Sequence, residues 1–216
     1  MDLTVFCVYW GDKYDVAYVY ALQDMVKKYL TIPHTFKCIT TRKIEGIETV
    51  LPFVPYHGWW QKIGLFAPRI ATGRSIYFDL DVVITGNIDY LARYESEFCA
   101  PANWAQSGHG GIQSSVMVWQ GNWHLPYEKF NYQIDRDRFW GDQEYLTDLL
   151  NDWDEISNIG SYKYHCKTGL PKELNVVCFH GKPDPHEVND SWILPYTQTL
   201  HRHIRSSKPI YLNKVS

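Results

Sequence analysis

The stretch Ser75-Ile76-Tyr77-Phe78-Asp79-Leu80-Asp81-Val82-Val83-Ile84 decides how this chain is read. Four residues of strand, 75–78, run straight into a carboxylate, an apolar residue and a second carboxylate. Residues i and i+2 of a strand face the same side, so Asp79 and Asp81 are expected to project together while Leu80 turns back to the core. At the carboxyl edge of a parallel sheet they overhang the crevice where open α/β folds bind ligands. Two carboxylates placed together repel, and a shared divalent cation with oxygen ligands relieves that repulsion and would neutralise a diphosphate. A bare D-x-D is common in unrelated chains as a pair of solvent-facing acids capping a turn. Its position after an apolar strand is what gives it weight.

Outward from that strand the pattern is α/β. Leu3–Trp10 is an apolar run of strand length closed by Gly11-Asp12, and Val16, Val19, Leu22, Val26 and Tyr29 or Leu30 recur at helical steps behind Asp15, a cap candidate. Residues 36–40 and 49–52 read as further strands, the latter cut short by Pro52. Residues 60–70 are apolar at helical spacing, with Pro68 expected to kink or end the helix. Residues 98–100 and 115–119 read as strands, 143–150 as a short helix opened by Gly141-Asp142, and 174–179 as the last strong strand. Such alternation predicts a mostly parallel sheet. The chain of 216 residues shows no linker or repeat and reads as one domain over 1–216, with 190–216 a less regular tail.

That last strand carries a second motif, Asn175-Val176-Val177-Cys178-Phe179-His180-Gly181-Lys182-Pro183. A neutral imidazole at His180 suits a third metal ligand. Gly181 permits close backbone approach to a ligand, and Lys182 offers a cation to a phosphate. A strand-end histidine is more often simply exposed, but packing alone does not explain the Gly-Lys-Pro that follows.

Composition narrows the classes. Hydrophobic residues at 45% and charged residues at 21% describe a globular chain, and a net charge of −3 gives no reason to expect nucleic acid. Aromatic residues reach 16%, with nine Trp and sixteen Tyr, which suits flat ligands with apolar faces as well as cores. Trp59, Trp60, Trp104, Trp119, Trp123 and Trp140 are candidates for an acceptor groove, although packing is the default for most. Cys7, Cys38, Cys99, Cys166 and Cys178 are odd in number and show no C-x-x-C spacing, which predicts free thiols in a reducing compartment. With no basic leader and no run of about 20 apolar residues, a cytoplasmic location is expected. Residues 201–208 hold a basic cluster, read first as a solvated end and second as a weak contact with an anionic membrane surface.

Taken together, Trp59-Trp60-Gln61-Lys62-Ile63, Tyr77-Phe78-Asp79-Leu80-Asp81 and Phe179-His180-Gly181-Lys182-Pro183 resemble the GT-A-fold glycosyltransferases, above all the family that includes glycogenin and bacterial lipopolysaccharide galactosyl- and glucosyltransferases. The likeness runs from the first strand to about residue 185. It implies a mostly parallel Rossmann-like sheet flanked by helices, with a small additional mixed sheet. It also implies metal-dependent, retaining transfer of a hexose from a nucleotide sugar, UDP-hexose, to a carbohydrate, lipid-linked or protein acceptor. By the same resemblance Asp79, Asp81 and His180 hold Mn2+ or Mg2+, while Leu80, Gly181 and Lys182 contact the donor. Lys62 approaches the donor, and Val8, Trp10 and Tyr14 cradle uracil. Asp142 and Gln143 face the donor sugar and, with Lys182, carry the chemistry. The chain departs from the pattern at Gln113-Ser114, where Asn is usual, and at Trp10, where a small hydroxyl residue is common. Two other classes stay open: a haloacid-dehalogenase-type phosphatase, which also follows an apolar strand with D-x-D, and a non-catalytic nucleotide-sugar-binding module.

Overall fold

The computed structural model describes residues 2–52, 56–104, 110–150 and 152–207. The chain begins with β1 (Leu3–Val8), α1 (Ala17–Tyr29), β2 (Thr35–Ile39) and β3 (Glu48–Val50). A 3-10 helix at Gly58–Phe66 leads to β4 (Arg74–Phe78) and β5 (Val82–Ile84). After β6 (Phe98–Ala100) and β7 (Val116–Gln120) come α2 (Leu125–Lys129), α3 (Tyr132–Arg138) and α4 (Asp142–Leu149). The last part holds β8 (Asp154–Glu155), β9 (Ile159–Ser161), α5 (Tyr162–His165), β10 (Val176–Cys178) and α6 (Leu194–Ser207).

The larger sheet runs in the order β3-β2-β1-β4-β7-β6-β8, parallel from β3 to β4 and antiparallel on either side of β7. A smaller mixed sheet, β5-β10-β9, sits beside it. Successive residues of the central strands bury on opposite faces. Val5, Cys7, Ile76, Phe78, Val116 and Val118 join the core that includes α1. Phe6, Val8, Tyr77, Met117 and Trp119 join the core that includes the 3-10 segment and α4. Cover on both faces explains why these strands read as continuous apolar runs. All five thiols are free and buried within this packing.

Local chemistry accounts for the edges of the elements. The Asp15 carboxylate accepts the Ala17 N–H at 2.8 Å, satisfying one of the orphan donors that open α1. The apolar segment expected as an α-helix over 60–70 is instead a 3-10 helix ending at Phe66, before Pro68. Its tighter winding buries Lys62 together with Trp60, Ile63, Leu65 and Phe66. Of the tail expected over 190–216 to be less regular, Leu194–Ser207 forms α6, a correction with a plain cause, and 208–216 lie outside the described residues. Ile193, Tyr196 and Leu200 are buried at helical spacing against α1, with Ile204 packed on the same cluster. Pro195 lies in the first turn, where it costs no helical hydrogen bond. From the basic cluster, His201, Arg202 and Arg205 are exposed on this helix, while Lys208 lies outside the described residues. No described helix is long and apolar enough to cross a membrane.

Candidate active site

The acidic pair sits where β4 leaves the large sheet. The strand ends at Phe78, and Asp79-Leu80-Asp81 forms a turn closed by the Val82 N–H donating to the Asp79 carbonyl at 3.2 Å. A turn between two sheets, not strand alternation, therefore sets these side chains. Two main-chain bonds pin it: the Asp79 N–H donates to Ser115 O at 2.9 Å, and the Phe179 N–H donates to Asp81 O at 3.2 Å. The second bond, with the antiparallel pairing of β5 and β10, carries His180 to the same place as the acids. A cavity of about 480 Å³ opens there, lined by Val8, Trp10, Tyr14, Lys62, Asp79, Leu80, Asp81, Asp142, Gln143, His180 and Gly181.

Buried charge organises the floor. Lys62 Nζ lies 3.0 Å from Asp79 Oδ1, 3.2 Å from Asp142 Oδ2 and 3.4 Å from Ser114 Oγ. Burial alone would lower the Lys62 pKa, but Asp142 and Asp79 hold the ammonium above its usual range. Burial pushes the Asp142 carboxyl up, against the pull of Lys62. The Tyr77 hydroxyl donates to Asp79 Oδ1 at 2.5 Å, and the Tyr14 hydroxyl donates to Asp81 Oδ2 at 2.8 Å. Gln143 Oε1 accepts the Ser114 N–H at 3.3 Å.

These groups suit a divalent cation. Four carboxylates, Asp79, Asp81, Asp142 and Glu144, line the cavity against two lysines, Lys13 and Lys62. Burial, and then Asp79, push the Asp81 carboxyl up to about 7 in spite of Tyr14 and Lys13. The pair is thus short of positive charge, and its oxygens are the ligands hard cations prefer. Burial, then Lys163, lower the His180 pKa and keep the imidazole in the neutral form a ligand requires. Its Nε2 is engaged by Ser161 Oγ at 2.7 Å. Among the described residues, the three-residue group whose ligand atoms lie within 4.8 Å of one another is a different one, Asp184, His186 and Glu187. Lys182 Nζ already occupies that group, 2.7 Å from Asp184 Oδ2 and 2.8 Å from Glu187 Oε1.

Lys182 is therefore the site candidate that the structure sets apart. Its side chain is 69% exposed, and it is not among the residues lining the cavity. Gly181, at φ 72°, adopts the left-handed conformation that glycine tolerates best. A different lysine stands close by: Lys163 Nζ is 3.2 Å from where a Gly181 Cβ would be. Sequence reasoning also missed Lys13, 4.0 Å from both Asp81 and Asp184, and Tyr77. The tyrosine was findable, two residues before Asp79 in an apolar strand. Nothing in the local sequence marks the two lysines. Of the tryptophans, Trp60, Trp119 and Trp123 are core residues, whereas Trp10, Trp59 and Trp140 are exposed on the cavity rim.

The sheet order, the small second sheet and the crevice at the end of β4 define the GT-A type of architecture found in glycosyltransferases. Among solved structures the chain is similar to the galactosyltransferase LgtC in complex with donor and acceptor sugar analogs, with TM-score 0.67 and 12% identity over 94% of this chain and 96% of that one. It is likewise similar to the glycosyltransferase GlyE of Streptococcus pneumoniae TIGR4, with TM-score 0.65 and 13% identity, and to the bifunctional glycosyltransferase WbbM, with TM-score 0.68 and 9% identity. The chain spans 64% of the former and 51% of the latter. At these identities the likeness is one of fold. No family model and no curated protein matches the sequence.

Proposed function

We propose that this protein is a glycosyltransferase that moves a hexose from a nucleotide sugar, UDP-hexose, to an acceptor, with Asp79, Asp81 and His180 as the residues that hold Mn2+ or Mg2+. The observation that carries this reading is the meeting of the acidic turn, Lys62, Asp142, Gln143 and His180 on one cavity at the carboxyl end of the parallel strands. When bound, the cation supplies positive charge to the departing diphosphate. The chain's own part is to orient and exclude water. Trp10, beside Val8 and Tyr14, offers an aromatic face to the base, and Gly181 lets the backbone approach the phosphates.

Retention of configuration is the stereochemical outcome we favour, by a same-face attack in which the leaving phosphate takes the acceptor's proton. Asp142 argues against a covalent route, because its carboxylate is buried and paired with Lys62 and so is a poor nucleophile. It acts instead, with Gln143, on the hydroxyls of the donor sugar. The acceptor and any membrane-surface contact through His201, Arg202 and Arg205 belong to the same proposal.

A panel of nucleotide sugars, scanned for thermal stabilisation with and without manganese, tests this reading. A donor at about a hundredfold excess over its Kd adds about 2.7 kcal/mol of stability. For a chain of this length that raises the Tm by roughly 5–10 °C. Chelation of the metal should remove the gain. Absence of stabilisation by every UDP-sugar, combined with steady phosphate release from simple phosphomonoesters, would replace it with the phosphatase.

Lys182→Ala gives a narrower test. The head group is exposed, so Tm should stay within about 2 °C of the parent. If the lysine swings from Asp184 and Glu187 to the donor, UDP affinity measured by calorimetry falls about tenfold. Unchanged affinity would assign the phosphate contact elsewhere, with Lys163 the next to mutate.

A further inference from the structure

Three indoles on the cavity rim are unusually open: Trp140 is 84% exposed, Trp59 51% and Trp10 41%. They form one continuous rim. A Cβ on Gly58 would lie 3.7 Å from the Trp10 ring, and the next residue is Trp59. A Cβ on Gly141 would lie 3.1 Å from Trp59 Nε1, and the residue before it is Trp140. The two glycines let neighbouring segments close up, so the side chains of Trp59 and Trp140 border the same opening. Leaving such large apolar faces in water is unfavourable and, at a cavity mouth, points to a ligand that covers them.

The polar groups beside these rings select the ligand. Glu144 Oε2 is 3.5 Å from that same Gly141 Cβ position, and Gln143 lines the cavity next to it. Of the lysines of the cavity, Lys62 is held by Asp79 and Asp142, and Lys13, on the side of Asp81 and Asp184, lies 4.0 Å from both. This side of the rim thus presents apolar faces, a carboxylate and an amide. A pyranose offers the complement, with C–H bonds on its face and hydroxyl donors on its edge. A phosphate-bearing acceptor would meet a carboxylate instead of a cation.

We propose that Trp59 and Trp140 form a stacking subsite for a neutral saccharide acceptor, with Glu144 accepting hydrogen bonds from its hydroxyls. This rests on the sugar-transfer reading above, and it sets neutral glycans ahead of lipid-linked phosphates and proteins as acceptors. Trp10, which lines the same cavity as Val8 and Tyr14, is left to the nucleotide.

Indole N–H resonances of protein labelled with 15N-tryptophan provide the test. One titration uses lactose, maltose, cellobiose and N,N′-diacetylchitobiose, and a second uses UDP with magnesium, whose diamagnetism leaves the resonances sharp; Trp59→Phe, Trp140→Phe and Trp10→Phe assign the signals. The sugars should move the Trp59 and Trp140 signals and leave buried Trp119 in place, while UDP should move Trp10. Trp59→Ala and Trp140→Ala should each weaken sugar binding about tenfold and leave UDP affinity within about twofold. The subsite is overturned if no sugar in the panel shifts either indole, if both respond to UDP instead, or if the alanine variants bind sugar like the parent. UDP binding without sugar binding removes the subsite and keeps the donor reading. Sugar binding without UDP binding does the reverse.

Discussion

Asp81→Asn is expected to abolish the manganese-dependent gain in UDP affinity and to make the metal-free protein more stable in mildly alkaline buffer. Both effects have one origin. The Asp81 carboxylate is buried beside Asp79, and its pKa is pushed up to about 7. A carboxyl whose pKa is higher in the folded state than in the unfolded chain holds its proton more tightly when folded. Its contribution to stability is lost as pH rises through the folded value. Above that value the ionised group costs about 1–3 kcal/mol after relaxation. An amide keeps the bond from the Tyr14 hydroxyl without the charge, so Tm should rise by roughly 2–12 °C. Calorimetric titration of UDP with and without manganese reads the first effect, and melting scans read the second. A variant that keeps the parent's manganese-dependent UDP affinity removes Asp81 from the metal site.

Lys62→Met should produce the largest loss of stability of any substitution on the cavity floor. Lys62 Nζ is the cation between Asp79 and Asp142, and its side chain is only 10% exposed. Methionine preserves much of the packed stem and leaves two carboxylates facing each other. Breaking a buried pair from one side costs about 3–5 kcal/mol. For this chain length that lowers Tm by roughly 6–20 °C. Combining Lys62→Met with Asp142→Asn removes one of the stranded charges and should recover at least about 1 kcal/mol relative to additivity. A lysine serving the donor alone would predict a Tm within about 2 °C of the parent and a change in UDP affinity only.

Much of this architecture was readable from the order of residues. The runs at 3–8 and 74–78 are buried along their whole length, so their apolar residues marked them as central strands, whereas 35–39 keeps Thr35 exposed and Lys37 half-buried. Asp79 and Asp81 followed from their place at the end of such a run. The structure differs in how they are placed, because a turn pinned by Ser115 and Phe179 does what strand alternation was expected to do. Such long-range backbone bonds leave no local signature. Lys182 shows the opposite case: its motif suggests a phosphate contact, while in this structure Asp184 and Glu187, two and five residues on, hold its head group. The helix α6 was hidden by its own outer face, where His201, Arg202 and Arg205 mask the buried spacing of Tyr196 and Leu200. The tryptophans were legible as a class but not individually. Whether an indole packs or lines a rim depends on partners distant in sequence, such as Gly141 for Trp59.

The fate of the five buried thiols follows from the packing that encloses them. Nucleophilic sulfur chemistry needs the thiolate, and burial raises Cys7 and Cys178 well above the ordinary thiol range and Cys99 and Cys166 to about 11. Oxidants and alkylating reagents are therefore expected to reach these four positions when the chain opens. The resistance of the protein to covalent damage belongs to the closed molecule, and label uptake at sulfur becomes a clock for its excursions from that state.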